Sequence, residues 1–153
     1  MRNTKGPLVV VMLVLFLVIN ASAVNVQGQE LAGGAKLDGD RAYIFSELKL
    51  WILSLELGMG SPLESNFSTF DYSLAGKVYP LAMGNVLPYA GGSVRYTSEG
   101  VYEQFEALTG LQLNLPTGIP LSGFGGAGFV FTESGDYTGF TLHFGIKYRF
   151  AFY

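Results

Sequence analysis

The sequence predicts an all-β protein: a closed antiparallel transmembrane β-barrel of eight strands in up-and-down order. Three observations carry that prediction. Apolar and polar side chains alternate with a period of two along most of the chain, while helical periodicity is hard to find. Charged residues make up only 14% of the chain against 49% hydrophobic, whereas soluble domains run near about 25% charged. The first 23 residues have the build of a cleavable secretory signal.

In that leader Arg2 and Lys5 form a charged region, Leu8 to Ile19 an apolar run, and Ala21-Ser22-Ala23 a small-residue cleavage site. A transmembrane anchor needs about 20 apolar residues, and Asn20 closes this run too early. Residues 1–23 are therefore expected to be removed, leaving residues 24–153 as one barrel domain. The remainder holds Lys36, Arg41, Lys49, Lys77, Arg95, Lys147 and Arg149 against 12 acids, an acidic balance that disfavours nucleic acid as a partner. With no cysteine there is no disulfide, thiolate metal site or lipid-accepting thiol. No later segment is apolar for long enough to form a spanning helix.

Eight strands are expected near 30–37, 42–50, 53–60, 70–79, 88–97, 104–115, 120–132 and 139–152. The connections "DGD" (38–40), "SPLESN" (61–66), "TSEG" (97–100) and "TESGDYTG" (132–139) are turn-forming and mostly acidic. Those at Trp51-Ile52, 80–87 and "PTGIP" (116–120) are shorter or more apolar. The two kinds alternate, as they would if one set faced outward and the other the periplasm. Membrane strands take about 9–11 tilted residues, so eight fit the length with ordinary connections, and eight is the smallest size of outer-membrane barrels.

Side-chain phase assigns the faces. In the last strand Leu142, Phe144, Ile146, Tyr148, Phe150 and Phe152 share one face, and His143, Gly145, Lys147 and Arg149 the other. Glu47 and Lys49 oppose Ser46, Leu48 and Leu50; Ser54 and Glu56 oppose Leu53, Leu55, Leu57 and Met59. Asp71, Ser73 and Lys77 oppose Tyr72, Leu74 and Val78, while Gln112 and Asn114 oppose Leu111, Leu113 and Leu115. A cation on the lipid face near the midplane costs about 2–4 kcal/mol. Lys49, Lys77, Lys147 and Arg149 are therefore expected to point into the lumen, where Glu47, Glu56 and Asp71, with Glu106 as a further candidate, meet them as counter-ions. Aromatic girdles are expected at the two ends. Phe70, Tyr72, Tyr96, Tyr102, Phe105, Phe129, Phe131 and Phe140 would form the loop-end girdle. Trp51, Tyr79, Tyr89, Phe150 and Phe152 would form the turn-end girdle.

The C-terminal stretch "LHFGIKYRFAFY" resembles the signal by which outer-membrane barrels are recognised for insertion, with His143, Gly145, Tyr148 and Phe150 filling its pattern in order. Together with the leader and the strand count, the chain resembles small outer-membrane barrels of the OmpA/OmpX type. The resemblance covers residues 30–153 as architecture, and Tyr153, one position beyond Phe152, departs from it by falling out of phase. It implies a bacterial cell outer-membrane location, outer-membrane lipids as surroundings, the barrel-assembly machinery as a partner during insertion, and a monomer.

Candidate chemistry is sparse. "GFGGAG" (123–128) matches a dinucleotide fingerprint in letters, but the next residues, Phe129-Val130-Phe131, are strand-like and do not open a helix. His143 is the lone histidine, so a multi-histidine metal site is excluded. Some barrels of this size modify lipid A with a His and a nearby Ser or acid, yet no Ser stands two residues from His143 on its face. The inward charges are expected to plug the lumen, because an eight-stranded barrel is just filled by its own side chains. Asp38, Asp40, Glu64, Glu99, Glu103, Glu133 and Asp136 are expected as loop acids largely without cation neighbours. Asn66-Phe67-Ser68 fits a glycosylation sequon that carries no information in a bacterial envelope. The expected role is structural or interactive, without catalytic residue, cofactor or metal: envelope integrity, adhesion, or partner binding through acidic outer loops. A lipid A-modifying enzyme, a soluble periplasmic lipocalin-like binder and a narrow channel are the alternatives.

Overall fold

The computed structural model describes residues 29–65, 69–116 and 118–150. The expected leader, the sequon at 66–68 and the final residues Phe152 and Tyr153 lie outside them. Eight strands run in chain order: β1 (Gln29–Asp38), β2 (Arg41–Leu50), β3 (Leu53–Pro62), β4 (Asp71–Val78), β5 (Val86–Thr97), β6 (Tyr102–Asn114), β7 (Leu121–Phe131) and β8 (Tyr137–Phe150). Each pairs antiparallel with the next, and β8 returns to β1 through pairs running from Leu31 with Phe150 to Asp38 with His143. The sheet is a closed up-and-down barrel, so no backbone edge remains open.

The strands form because the pleat puts polar and apolar residues on opposite faces. In β4 Asp71, Ser73, Ala75 and Lys77 are buried inside while Leu74 and Val78 are exposed outside. In β8 His143 and Lys147 are buried, whereas Leu142, Phe144, Ile146, Tyr148 and Phe150 are exposed. This inverts a soluble domain: the outer wall is apolar and the interior carries the ions. The faces match the phase predicted for β2, β3, β4, β6 and β8.

Register sets the barrel's stagger. Tracing paired residues from Leu31 through Leu48, Leu55, Gly76, Gly92, Ala107 and Phe129 ends at Phe140, ten residues short of the Phe150 that pairs with Leu31. A stagger tilts the strands against the barrel axis, typically by about 35–45°. It also lets side chains far apart in sequence meet inside.

Two large rings fit this narrow interior beside a glycine on the paired strand. A Cβ on Gly34 would stand 2.8 Å from Cζ of Phe45, and one on Gly145 would stand 2.7 Å from Cζ of Phe124. Phe45 and Phe124 then meet edge to face with centroids 5.7 Å apart, a favoured aromatic geometry. Gly34→Ala is expected to lower the stability of the folded barrel by about 1–3 kcal/mol, the usual cost of overpacking. A lower urea midpoint with an unchanged slope would show it; an unchanged midpoint would mean that the Phe45 ring and the β8 backbone at Ile146 and Lys147 both shift to make room.

Connections alternate between two ends. At one lie 39–40, 63–65, 69–70, 98–101 and 132–136, with a 3-10 turn at Leu63–Ser65; at the other lie 51–52, 79–85, 115–116 and 118–120. Gly39 adopts φ 59° in the first connection, as a tight hairpin turn asks. Trp51 adopts φ 54° in the two-residue turn between β2 and β3. It is the sole non-glycine with positive φ among the described residues. Bulky side chains rarely accept that conformation.

The girdle expectation needs a correction at two rings. Tyr79 and Tyr89 are 4% and 3% exposed and point into the lumen. Each keeps the parity of inward neighbours, Lys77 for Tyr79 and Gly91 for Tyr89, and each has a hydroxyl that needs a partner once buried. Trp51, Phe70, Phe105, Phe129, Phe140 and Phe150 are on the outside as expected.

Candidate functional site: the charged lumen

Every cation among the described residues turns inward, and the ion pairs form tiers along the barrel. Nearest the acidic loops, Arg41 pairs with Asp71, and its Nη2 donates to Oε1 of Glu103 at 3.2 Å. Arg95 Nη2 lies 3.3 Å from Oε1 of Glu106 and 3.6 Å from Oδ2 of Asp38. Asp38 and Glu103 are thus not the free loop acids that the sequence suggests. Asp38 ends β1 facing inward, and Glu103 opens β6 beside Arg41. Glu64, Glu99, Glu133 and Asp136 do stand exposed at this end, and Asp40, exposed too, has its Oδ1 3.8 Å from Nε of Arg41.

The middle tier centres on Glu56, which has no solvent exposure. Lys36 Nζ donates to its Oε1 at 2.6 Å, and Lys77 Nζ donates to its Oε2. Both carboxylate oxygens are therefore occupied by a cation from a different strand. Beside this triad Tyr89 Oη and His143 Nε2 share a hydrogen bond of 2.6 Å.

Below it, Lys147 Nζ donates to Oε2 of Glu47 at 2.6 Å and Tyr79 Oη donates to Oε1 of the same carboxylate at 3.0 Å. Glu47 and Glu56 are direct cross-strand partners, an unfavourable like-charge juxtaposition that the three lysines neutralise. Lys49 stands apart from the ion pairs, half-buried, with Nζ 4.4 Å from the centroid of the Tyr79 ring. A cation over an aromatic face is attracted by the ring quadrupole. Toward the turns, Gln112 Nε2 and Ser122 Oγ each donate to Oδ1 of Asn114 at 2.8 Å. Arg149 lies 3.9 Å from Glu30 near the chain ends.

Of the residues predicted to form the lumen network, Glu47, Glu56, Lys77 and Lys147 come together in the two inner tiers. Asp71 belongs to the loop-end tier, Lys49 caps a ring, and Arg149 pairs with Glu30. Phase reasoning does not find Lys36, Asp38, Arg41 and Arg95 as members, nor the rings of Tyr43, Phe45, Tyr79, Tyr89 and Phe124, which are at most 9% exposed. Parity within "ELAGGAKLD" and "GGSVRY" is the available signal, obscured there by small residues on both faces. His143, Gly145, Tyr148 and Phe150 all lie in β8, the first two facing inward and the last two outward.

Chemically, this arrangement fills the interior. Carboxylates are matched by lysine and arginine, and the rings of Phe45, Tyr79, Tyr89 and Phe124 pack with Leu87 into one buried cluster. His143 is 5% exposed, enclosed with a phenol as its partner. "GFGGAG" runs through the middle of β7 as strand, so its glycines serve close packing and not a phosphate loop.

The fold and its ion-paired interior define a small closed eight-stranded antiparallel barrel. No protein-family model matches the chain, and no curated protein does. Among solved structures it is similar to the de novo designed transmembrane barrel TMB2.3, determined by NMR in solution. The two share 16% identity with a TM-score of 0.59, over 82% of this chain and 98% of the designed one. At that identity the likeness is one of fold.

Proposed function

We propose that the protein is a small monomeric barrel of the bacterial outer membrane, of the OmpA/OmpX kind, with a structural or interactive role and no catalytic one. It would contribute to envelope integrity or adhesion, or bind a partner through its short acidic loops. One observation carries this reading: the outer wall exposes apolar side chains such as Ile44, Leu55, Leu111, Phe144 and Ile146 while every described cation is turned inward. Water would favour the reverse arrangement, and hydrocarbon favours this one. The closed sheet supports it too, because backbone groups in lipid need partners within the protein. The filled lumen favours a plug over a channel. The enclosed His143–Tyr89 pair favours a packing role for the histidine over lipid chemistry.

Cell fractionation and gel migration with and without boiling test the reading. The protein should appear in the outer-membrane fraction and run faster unboiled than boiled. Recovery in the aqueous periplasmic fraction with no heat-dependent shift would overturn it. His143→Asn should leave lipid A unchanged by mass spectrometry, and a changed lipid A would replace the structural role with an enzymatic one.

A further inference from the structure

We propose that the loop-end tier of the lumen is a binding site for a hard divalent cation, Ca²⁺ or Mg²⁺, held between Asp38 and Glu106. The site needs only the closed sheet, so it stands or falls apart from where the barrel resides.

Charge is the first observation. The tier gathers four carboxylates, Asp38, Asp71, Glu103 and Glu106, around two guanidinium groups, Arg41 and Arg95. Four against two leaves an excess of two negative charges, and three of the acids are buried. No other tier among the described residues is negative. The Glu56 triad has two ammonium groups for one carboxylate, but both are bonded to Glu56 itself, and Lys147 cancels Glu47. Unmatched buried charge is costly, so the excess calls for a cation from outside the chain.

Geometry says where that cation sits. Arg95 Nη2 faces one oxygen of each acid, Oδ2 of Asp38 at 3.6 Å and Oε1 of Glu106 at 3.3 Å. The other oxygen of each is left over. Asp38, 6% exposed, has no partner for Oδ1 among the described residues, and Glu106 Oε2 has only the Ser93 hydroxyl at 3.5 Å. Around the wall from Glu106 on β6 to Asp38 on β1 come Gly128 on β7 and Thr141 on β8. The Thr141 hydroxyl is buried and also lacks a partner among the described residues. A Cβ on Gly128 would stand 2.8 Å from Thr141 Oγ1 and 2.9 Å from Glu106 Oε2. Those two oxygens therefore converge over a backbone that carries no side chain. Tyr43 Oη and His143 Nδ1, the latter on the residue paired with Asp38, are unpartnered as well. The water shell of an ion would serve both.

Donor type selects the ion. Two carboxylate oxygens and a hydroxyl are hard ligands, suited to Ca²⁺ or Mg²⁺ over softer transition metals. No set of three or more acids or histidines is placed to hold a metal among the described residues. The two acids and Thr141 thus form a partial shell that water completes, and binding falls at the roughly millimolar level of extracellular calcium modules.

Urea titration in detergent micelles at matched ionic strength tests the site. About 10 mM CaCl₂ or MgCl₂ should raise the folding equilibrium constant about tenfold over NaCl alone, as a millimolar ligand of the folded state does. Gly128→Ala keeps every acid but sets a methyl group between Glu106 and Thr141. It should fold, by its unboiled gel mobility, and lose most of the response; Thr141→Val serves in its place if the methyl prevents folding. Asp38→Asn should lose the response too, whereas Glu133→Gln with Asp136→Asn, on the exposed rim, should keep it in full. A midpoint indifferent to both cations would overturn the site. So would a response that the rim variant abolishes, or one that Asp38→Asn and Gly128→Ala leave whole.

Discussion

Glu56→Ala is expected to destabilise the barrel by about 3–5 kcal/mol, because it strands two buried lysines. Lys36 and Lys77 are 7% and 5% exposed, and both direct their ammonium groups at the two oxygens of this one carboxylate. Without it Lys36 faces the ring of Tyr43 and Lys77 those of Tyr89 and Phe124, while the neighbouring Glu47 is already bonded to Lys147 and Tyr79. Equilibrium urea titration in lipid vesicles, read from the folded band on unboiled gels, measures the loss. A triple variant, Lys36→Met, Glu56→Leu and Lys77→Met, should recover most of it, since removing a buried ion group whole is often neutral or stabilising. A single variant with the parent midpoint would mean that the lysines reach water through the lumen.

Ile44→Arg carries the second large effect, and it separates hydrocarbon from water as the solvent of the outer wall. Ile44 sits mid-strand in β2, faces outward and is 62% exposed. At a bilayer midplane the substitution costs about 2–4 kcal/mol, falling to about 0–1 near the interface. Val101→Arg, 58% exposed in a loop-end connection, is the matched control and should be almost silent. In water both would fall within about 0.5 kcal/mol of the parent. Equal midpoints for the two variants would therefore sink the membrane reading.

The barrel is legible in the sequence where the two faces contrast and hidden where they do not. Strands β3, β4 and β8 alternate large apolar residues with ions, so phase alone places Glu56, Lys77 and Lys147. In β1 and β5 the runs "LAGGAK" and "YAGGSV" put small residues on both faces, which conceals Lys36 and Arg95. Nearness to the turns suggests a girdle position for Tyr79 and Tyr89, whereas parity with Lys77 and Gly91 turns both inward. Partner choice is out of reach altogether: Glu47 and Lys147 stand 100 residues apart, and only the stagger of the closed sheet brings them together. Nor do the letters show that the Trp51 turn runs against backbone preference, since a type of turn is read from glycine or asparagine.

The pairing of Glu47 on β2 with Lys147 on β8 has a consequence for how the molecule comes into being. Glu47 comes from the second strand and Lys147 from the last, so this pair forms only when β8 has docked on β1. A sheet that stopped at β7 would leave that carboxylate with the Tyr79 hydroxyl but without its bonded lysine. Glu47 thus ties closure of the ring to the completion of its own charge pairing.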